Sequence, residues 1–403
     1  MASAQGGLPR TGGLDDAPVV VYVQQQLEQA VALQASDLHF EPYESFYRVR
    51  LRIDGQLREM GQVPEPFRER LAARIKVLAR LDVAEKRLPQ DGRILLSSAQ
   101  GRTLDLRVST LPTLFGEKVV VRLLDTRAQQ LQLARLGYEA DDLQQLEQAI
   151  HRPHGMVLVT GPTGSGKTQS LYACLHQLNT PALNIATVED PCEIQLPGIN
   201  QVNVQDKPGL SYVVVLRAFL RQDPDVLMVG EIRDLETAQI AVQAAQTGHL
   251  LLSTLHTQDA PATLVRLRNM GVAGYNLAAS VSLVTAQRLV RTLCPVCKQA
   301  QPLSAEVLRQ AGWRAPDLAA SVPVYRPLGC DQCHQGFKGR TGIFQVMPMS
   351  AALQSLVVDE ASGLALAQQA QREGLRSLRE AGLRKVLAGL TSLDEVLAAT
   401  GAD

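Results

Sequence analysis

A glycine-rich segment near the middle of the chain has residue types and spacing suited to binding phosphate groups. In order, its residues are Gly161, Pro162, Thr163, Gly164, Ser165, Gly166, Lys167 and Thr168. Glycines let backbone N–H groups turn toward an anion, the lysine can neutralise the β- and γ-phosphates of a nucleotide such as ATP, and the last threonine can bind Mg²⁺. The apolar run Met156–Thr160 and the helical stretch Gln169–Leu178 flank the segment, which is the strand–loop–helix setting that this chemistry requires. We therefore predict a nucleotide site here, rather than a glycine-rich turn with an incidental lysine.

Two carboxylates follow strand-like segments and could organise Mg²⁺ or the attacking water. Glu231 comes shortly after the apolar run Val226–Val229, and Gly230 stands where an aspartate is usual in such sites. A buried strand would place Glu231 at its carboxyl end beside the phosphates, although a helix-capping glutamate is the alternative. Glu189, within residues 187–191, could reach the same edge. The position of Glu189 in the sequence does not distinguish a catalytic carboxylate from a surface carboxylate, so both remain open.

Two histidines bracket a strand-like apolar segment. His249 precedes residues 250–255 and His256 follows them. Side chains seven residues apart lie on opposite faces of an ideal strand, so the two can share a task only where the strand end curls. We predict that His256, and His249 as a second candidate, senses the γ-phosphate. A hydrogen-bonded core histidine is the alternative, above all for His249.

Four of the six cysteines form two CxxC pairs, Cys294 with Cys297 and Cys330 with Cys333. Two such pairs can supply four thiolates to a tetrahedral, structural Zn²⁺. The 32 residues between the pairs exceed the roughly 15–20 of short zinc ribbons, so a subdomain should fill the gap. An unmetallated thiol cluster and a redox pair are the alternatives. A redox role is disfavoured because neither pair has a thioredoxin-like βαβ pattern around it.

Composition limits the class of protein. The 403 residues include 40 basic and 40 acidic side chains, so no overall field attracts nucleic acid or anionic lipid. Apolar residues make up 45% of the chain, as in globular proteins. No run reaches the roughly 18–20 apolar residues of a membrane span, and residues 1–16 lack a signal-peptide pattern. We therefore predict a cytoplasmic protein, in which the cysteines stay reduced.

The segments that must position these groups differ in pattern along the chain. A helical period over Val19–Leu33, the alternating strand Tyr47–Ile53 with its Asp54-Gly55 hairpin signal, and strands at Thr103–Val108 and Lys118–Leu123 indicate a small α+β domain. Apolar runs that alternate with helical stretches then indicate a parallel α/β core. The predicted divisions are a flexible leader 1–18, an α+β domain 19–125, a linker 126–136, an ATPase core 137–291, a zinc-binding subdomain 292–345 and a C-terminal helical region 346–403.

Six motifs taken together resemble the ATPase family of type II secretion and type IV pilus assembly. They are 36–42 (SDLHFEP), 86–93 (KRLPQDGR), 187–191 (TVEDP), 221–225 (RQDPD), 230–238 (GEIRDLETA) and 247–257 (TGHLLLSTLHT). The resemblance spans about residues 19 to 400. It implies a RecA-like P-loop core, an N-terminal α+β (PAS-like) domain, a tetracysteine zinc subdomain and a C-terminal helical lobe.

The resemblance also implies a mechanism and partners. Family members hydrolyse ATP with Mg²⁺ as homo-hexamers, each nucleotide lying between the core and the N-terminal domain. By motif, Arg93, Arg107 and Arg122 would contact the phosphates, for which a guanidinium is well suited, while a surface ion pair is the alternative for each. The implied partners are an inner-membrane platform protein and other secretion or pilus components. The protein would be recruited peripherally to the inner membrane and would not bind nucleic acid.

Two other functions remain as alternatives, and two features depart from the family pattern. A DNA-uptake or DNA-translocating RecA-like motor is disfavoured by zero net charge and 4% aromatic residues. A zinc-stabilised nucleotide-binding scaffold without turnover is the third hypothesis. Longer members begin with a further domain, whereas about eighteen residues precede the match here, so the chain is part of a longer protein or a short member. Gln345 stands where the family usually carries glutamate.

Overall fold

The computed structural model of the protein describes residues 17–97, 103–124, 131–205, 209–314 and 321–401. The chain divides into two compact units, residues 1–126 and 127–403. Most of the predicted leader and residues 126–130 of the predicted linker lie outside the described ranges. Within those ranges, no helix is both long enough and apolar enough to cross a membrane.

The first unit is a six-stranded antiparallel sheet with two helices. Its strands are β1 (Asp37–Pro42), β2 (Tyr47–Ile53), β3 (Gln56–Gln62), β4 (Gln90–Ser97), β5 (Thr103–Thr113) and β6 (Gly116–Leu124), and its helices are α1 (Ala17–Ala32) and α2 (Arg68–Ala79). The strand order across the sheet is β3-β2-β1-β6-β5-β4. The core of this unit lies between the sheet and the two helices, and includes Val23, Leu27, Leu51 and Leu71.

The structure confirms the strand, the hairpin turn and the helix that the sequence pattern predicts in the first unit. The strand predicted at Tyr47–Ile53 is β2, whose alternate residues are buried. Asp54 and Gly55 have φ angles of 49° and 86°, the left-handed pair that a two-residue hairpin turn requires. The helix predicted at Val19–Leu33 is α1, which begins at Ala17 and therefore inside the predicted leader.

The second unit contains a seven-stranded sheet of order β15-β12-β7-β11-β10-β8-β9, and its strands are parallel except for β15, which runs antiparallel to β12. The seven strands are β7 (Gly155–Thr160), β8 (Ile185–Glu189), β9 (Asn200–Asn203), β10 (Val226–Val229), β11 (Leu250–Leu255), β12 (Val281–Leu293) and β15 (Phe337–Pro348). Two further strands, β13 (Gln299–Ser304) and β14 (Ser321–Arg326), pair with each other in a separate antiparallel sheet. Every residue of β7, β8, β10 and β11 is buried, which explains their continuous apolar runs.

Helices cover this sheet and form the end of the chain. They are α3 (Ala140–Ile150), α4 (Lys167–Leu178), α5 (Tyr212–Phe219), α6 (Leu235–Gln246), α7 (Ala260–Asn269), α8 (Gly274–Ser280), α9 (Ala305–Gln310), α10 (Ala351–Val358), α11 (Gly363–Arg372), α12 (Leu378–Leu387) and α13 (Leu393–Thr400). Two contacts tie the last helices to the start of the unit: Lys385 Nζ donates to Gly137 O at 2.6 Å, and Arg376 Nη2 donates to Asp142 Oδ1 at 2.7 Å.

Strand β15 changes the predicted division of this unit. It pairs with β12 from Leu283↔Pro348 to Leu293↔Phe337, so it is an edge strand of the seven-stranded sheet. The predicted boundary at residue 345 falls inside it. The segment outside the sheet is instead the insertion between β12 and β15, residues 294–336, which carries β13, β14 and α9. We call this insertion the excursion.

Gln345 lies on β15, at the position where the family that the sequence resembles usually carries glutamate. Its contacts show which task of the glutamate carboxylate an amide can also perform. Its side chain is buried, and Oε1 accepts a hydrogen bond of 2.8 Å from the backbone N–H of Ala260, the first residue of α7. This N–H has no partner within its own helix, so an acceptor is required and either side chain can supply it.

We expect Gln345→Leu to lower the stability of the second unit by about 1–3 kcal/mol, because the Ala260 N–H would stay buried without an acceptor. Urea unfolding followed by fluorescence of Trp313, the single tryptophan, measures the loss. Gln345→Glu is the matched control. It keeps the oxygen at a helix N-terminus and should lose less than half as much; equal losses for the two variants would contradict the assignment.

Candidate nucleotide-binding site

The phosphate loop joins the carboxyl end of β7 to the first turn of α4. Gly161, Gly164 and Gly166 adopt φ angles of 146°, 79° and 87°, which side chains rarely tolerate. A Cβ at position 161 would also lie 2.5 Å from the carbonyl oxygen of Gln287, on the neighbouring strand β12. The glycines therefore allow both the curvature of the loop and the close approach of β12.

The polar groups of this loop fit a bound phosphate chain. Lys167 Nζ donates to Gly161 O at 2.9 Å and to Pro162 O at 3.1 Å, so the ammonium lies against the loop. Burial lowers the pKa of Lys167, and the negative charge of Glu231 opposes this shift. Ser165 Oγ is buried and has no hydrogen-bond partner among the described residues. Thr168 follows Lys167 on α4.

Glu231 lies at the same edge of the sheet as the loop. Thr254 Oγ1 donates to Gly230 O at 2.7 Å, and Ile232 N donates to Thr254 O at 3.0 Å, so β11 fixes the backbone on both sides of Glu231. The Glu231 carboxylate is mostly buried, pairs with Arg233, and lies 3.6 Å from His256 Nε2.

The two histidines lie at opposite ends of β11. Leu255 pairs with Thr160, so His256 comes level with the start of the phosphate loop. Burial, and then the charges of Lys167 and Arg233, lower the pKa of His256, while the charge of Glu231 opposes this shift. His249 lies at the amino end, about 23 Å away at roughly 3.3 Å per residue.

His249 therefore does not join His256 at the loop within one chain. Its Nδ1 is 3.0 Å from Ala244 O and 3.3 Å from Thr247 Oγ1. These contacts match the alternative of a hydrogen-bonded structural histidine.

Glu189 is buried within a polar cluster beneath α4. Its Oε1 accepts hydrogen bonds from Thr187 Oγ1 at 2.7 Å and Gln201 Nε2 at 3.1 Å, and Oε2 accepts one from the Tyr172 hydroxyl. The Tyr172 oxygen in turn accepts the backbone N–H of Glu193 at 3.1 Å. Glu189 is thus held by donors from α4, β8 and β9, in surroundings unlike those of Glu231.

The three predicted arginines form one row across the sheet of the first unit. Arg93 on β4 is paired in register with Arg107 on β5, which is paired in register with Arg122 on β6. Arg93 forms an ion pair with Asp105, and Arg122 Nε donates to Asp37 Oδ1 at 3.1 Å. The guanidinium groups of Arg93 and Arg122 remain more than half exposed. Like charges directly opposite on neighbouring strands cost free energy, which these acidic partners offset in part.

Three polar side chains at the nucleotide site were not predicted. Gln287, on β12, donates from Nε2 to Ser165 O at 2.7 Å and accepts from Ser170 Oγ at 2.8 Å, so it fixes the loop to α4. Arg288 is its neighbour in the chain, and Arg233 pairs with Glu231. Arg233 could have been found from its motif, but nothing in the local pattern around Gln287 indicates contact with a loop more than a hundred residues earlier.

The four predicted cysteines form a single cluster where the excursion leaves and rejoins the sheet. All four Sγ atoms lie within 4.8 Å of one another, and no disulfide joins them. The Cys294–Cys330 and Cys297–Cys333 sulfur separations are 3.9 and 3.6 Å. Four sulfurs at about 2.3 Å from a tetrahedral Zn²⁺ lie about 3.8 Å apart, so this donor set fits the metal. Backbone N–H groups also donate to two of the sulfurs.

The mixed α/β fold has a neighbour among the solved structures of ATPases. The solved structure of the Legionella pneumophila ATPase DotB superposes with a TM-score of 0.69, covering 98% of this chain and 97% of that one at 18% sequence identity.

Sequence comparison defines the family. Residues 13–398 match the model of the Type II/IV secretion system protein family. The type IV pilus assembly ATPase PilB of Acinetobacter baylyi is 51% identical over 383 residues, which are 95% of this chain and 66% of that protein. The type II secretion system protein E of Aeromonas hydrophila is 47% identical over 390 residues, 96% of this chain and 77% of that protein. The chain therefore belongs to the Type II/IV secretion system protein family, and it spans about two thirds of the length of the PilB relative.

Proposed function

We propose that this chain is an ATP-hydrolysing motor that powers the assembly of pilin or pseudopilin fibres for type IV pili or type II secretion. One observation carries the proposal: Lys167, Glu231 and His256 meet at the edge of the sheet where the phosphate loop lies. The names of the relatives, a pilus assembly ATPase and a type II secretion protein, support the same function.

In the proposed site, the loop and Lys167 hold the phosphates and Thr168 provides a hydroxyl ligand for Mg²⁺. When bound, Mg²⁺ neutralises charge on the β- and γ-phosphate oxygens. Glu231, which is mostly buried and lies 3.6 Å from His256, orients the attacking water. His256, whose pKa is lowered mainly by burial, can donate a hydrogen bond to a γ-phosphate oxygen. Glu189 contributes through the cluster that fixes the segment after β8 to α4.

The first unit is proposed to act as a PAS-like domain that supplies Arg93, Arg107 and Arg122 to the phosphates as it closes on a RecA-like core. A row of three guanidinium groups offers bidentate donors over a span of two strand spacings, about 10 Å, which suits a triphosphate. Such closure fits action as a homo-hexamer. Neutralising Arg107 should then weaken hydrolysis more than it weakens ADP binding.

The cysteine cluster is proposed to hold a structural Zn²⁺ that joins the two ends of the excursion between β12 and β15. The sulfur separations support this ligand set. The C-terminal helices, α10 to α13, are proposed to form a helical lobe. We further propose that the motor acts at the cytoplasmic face of the inner membrane through a platform protein and other secretion or pilus components, without binding nucleic acid.

Phosphate release from Mg-ATP by the full chain tests this function. We expect Glu231→Gln to lower kcat by about 10²–10⁴-fold, because the carboxylate that orients water is lost while the shape is kept. The affinity for nucleotide should stay within a few-fold of the wild-type value. The unfolding midpoint, followed by Trp313 fluorescence, should change by no more than a few degrees. A wild-type chain that binds ATP without turnover would instead indicate a nucleotide-binding scaffold.

Glu189→Gln is the matched comparison. It should reduce turnover and also lower the unfolding midpoint, because the buried hydrogen bonds from Tyr172 and Gln201 are disturbed. Hydrolysis by Glu231→Gln above one tenth of the wild-type rate would contradict the role given to Glu231.

A further inference from the structure

Arg288 lies beside the phosphate loop and has no place in the mechanism above. Strand β12 runs parallel to β7 with Ala286 paired to Thr160, so the next residues of β12 continue alongside the loop. The carbonyl oxygen of Gln287 lies so close to Gly161 that a Cβ on this residue would be only 2.5 Å from that oxygen. The residue after this contact is Arg288, at the same edge of the sheet as Lys167.

The guanidinium of Arg288 is held by neutral oxygens. Nη1 donates to Gln287 O at 3.0 Å, and Nη2 donates to Gln258 O at 2.9 Å and to Gln258 Oε1 at 2.6 Å. In the described part of the chain, no carboxylate forms an ion pair with Arg288. The nearby Asp259 instead caps α7, where its Oδ1 accepts the Ala262 N–H at 2.7 Å.

These contacts leave the charge of Arg288 without a direct ion pair among the described residues. Arg288 is half-buried, and burial lowers its pKa, while the charge of the nearby Asp259 opposes this shift. The charge of Arg288 also lowers the pKa of Lys167, so the two cations interact. Placing two cations together in a partly desolvated site costs free energy, and a polyanion between them recovers it. Three of the five guanidinium N–H groups are used by Gln258 and Gln287, which leaves two for such an anion.

We propose that Arg288 is a second cation for the terminal phosphate of the nucleotide, supplied by the same chain as the phosphate loop. This inference rests on the proposed function, since it names a contact to the same ligand. The glutamine oxygens fix the orientation of the guanidinium before a ligand arrives, as effective anion sites require. Arg288 thereby distinguishes ATP from ADP without any contribution from the first unit.

The test is the ratio of affinities for a non-hydrolysable ATP analogue and for ADP, both with Mg²⁺, in the full chain. We expect Arg288→Gln to weaken binding of the analogue about tenfold or more and that of ADP less than threefold, because only the terminal phosphate loses a charge-assisted hydrogen bond. Arg288→Lys keeps the charge and should restore part of the ratio. It also serves as the test variant if Arg288→Gln does not fold.

Arg326→Gln is the matched control, since the exposed Arg326 on β14 also donates to a glutamine oxygen, Gln299 Oε1, at 2.6 Å. It should leave both affinities unchanged. Equal weakening of both nucleotides by Arg288→Gln, or no weakening, would overturn the inference and leave Arg288 as a structural support of the loop. If the wild-type chain binds neither nucleotide, the proposed function itself fails. The two failures are therefore distinguishable.

Discussion

Lys167→Ala is expected to abolish ATP hydrolysis and to weaken ATP binding by about 10²–10⁴-fold. The lysine is the charged group of the loop, and two charge-assisted hydrogen bonds to phosphate oxygens contribute about 3–6 kcal/mol together. Its pKa is lowered mainly by burial, and bound phosphates would raise it again by stabilising the ammonium. Phosphate release and equilibrium binding of a fluorescent ATP analogue measure the two losses.

The structural cost of this substitution should be small. Among the described residues, Lys167 Nζ donates hydrogen bonds to two loop carbonyls, those of Gly161 and Pro162, and one of these contacts is exposed to solvent. We therefore expect the Trp313 unfolding midpoint to change by no more than a few degrees. Lys338→Ala, at an exposed lysine on β15, is the control and should keep wild-type activity. If Lys167→Ala retained a tenth of wild-type hydrolysis, the proposed mechanism would be wrong.

Replacing Cys294 and Cys330 together by serine should remove about one Zn²⁺ per chain and unfold the excursion between β12 and β15. One cysteine from each CxxC pair is lost, so neither pair can complete the tetrahedral shell. Zinc binding supplies up to about 10–16 kcal/mol in small zinc domains, far more than the few apolar side chains packed around Leu308 can replace. Metal analysis of protein purified without chelator measures the first effect.

The second effect has a built-in reporter. Trp313 lies within the excursion and packs on the cluster formed by Leu308, Ala311 and Leu383. Its fluorescence should show an early transition in the double variant, while circular dichroism keeps the later transition of the seven-stranded sheet. Cys192→Ser, at a cysteine outside the cluster, should change neither signal. Finding the wild-type protein free of metal would refute the zinc site.

Sequence alone determined the features that depend on a few consecutive residues. The phosphate loop, the Asp54-Gly55 turn and the alternation of β2 follow from glycine conformations and side-chain period, which are properties of a short segment. The two CxxC pairs likewise bring their own two ligands together. Buried parallel strands such as β10 are also legible, because burial on both faces requires a continuous apolar run.

Only the tertiary structure decided which distant segments meet. The register of β4, β5 and β6 aligns Arg93, Arg107 and Arg122, and the direction of β11 separates His249 from His256. The pairing of β15 with β12 returns Gln345 to the core sheet, and the passage of β12 beside β7 brings Arg288 to the phosphate loop. Each of these outcomes depends on strand order and register, which are set by the packing of the whole core. A short stretch of sequence therefore does not reveal them.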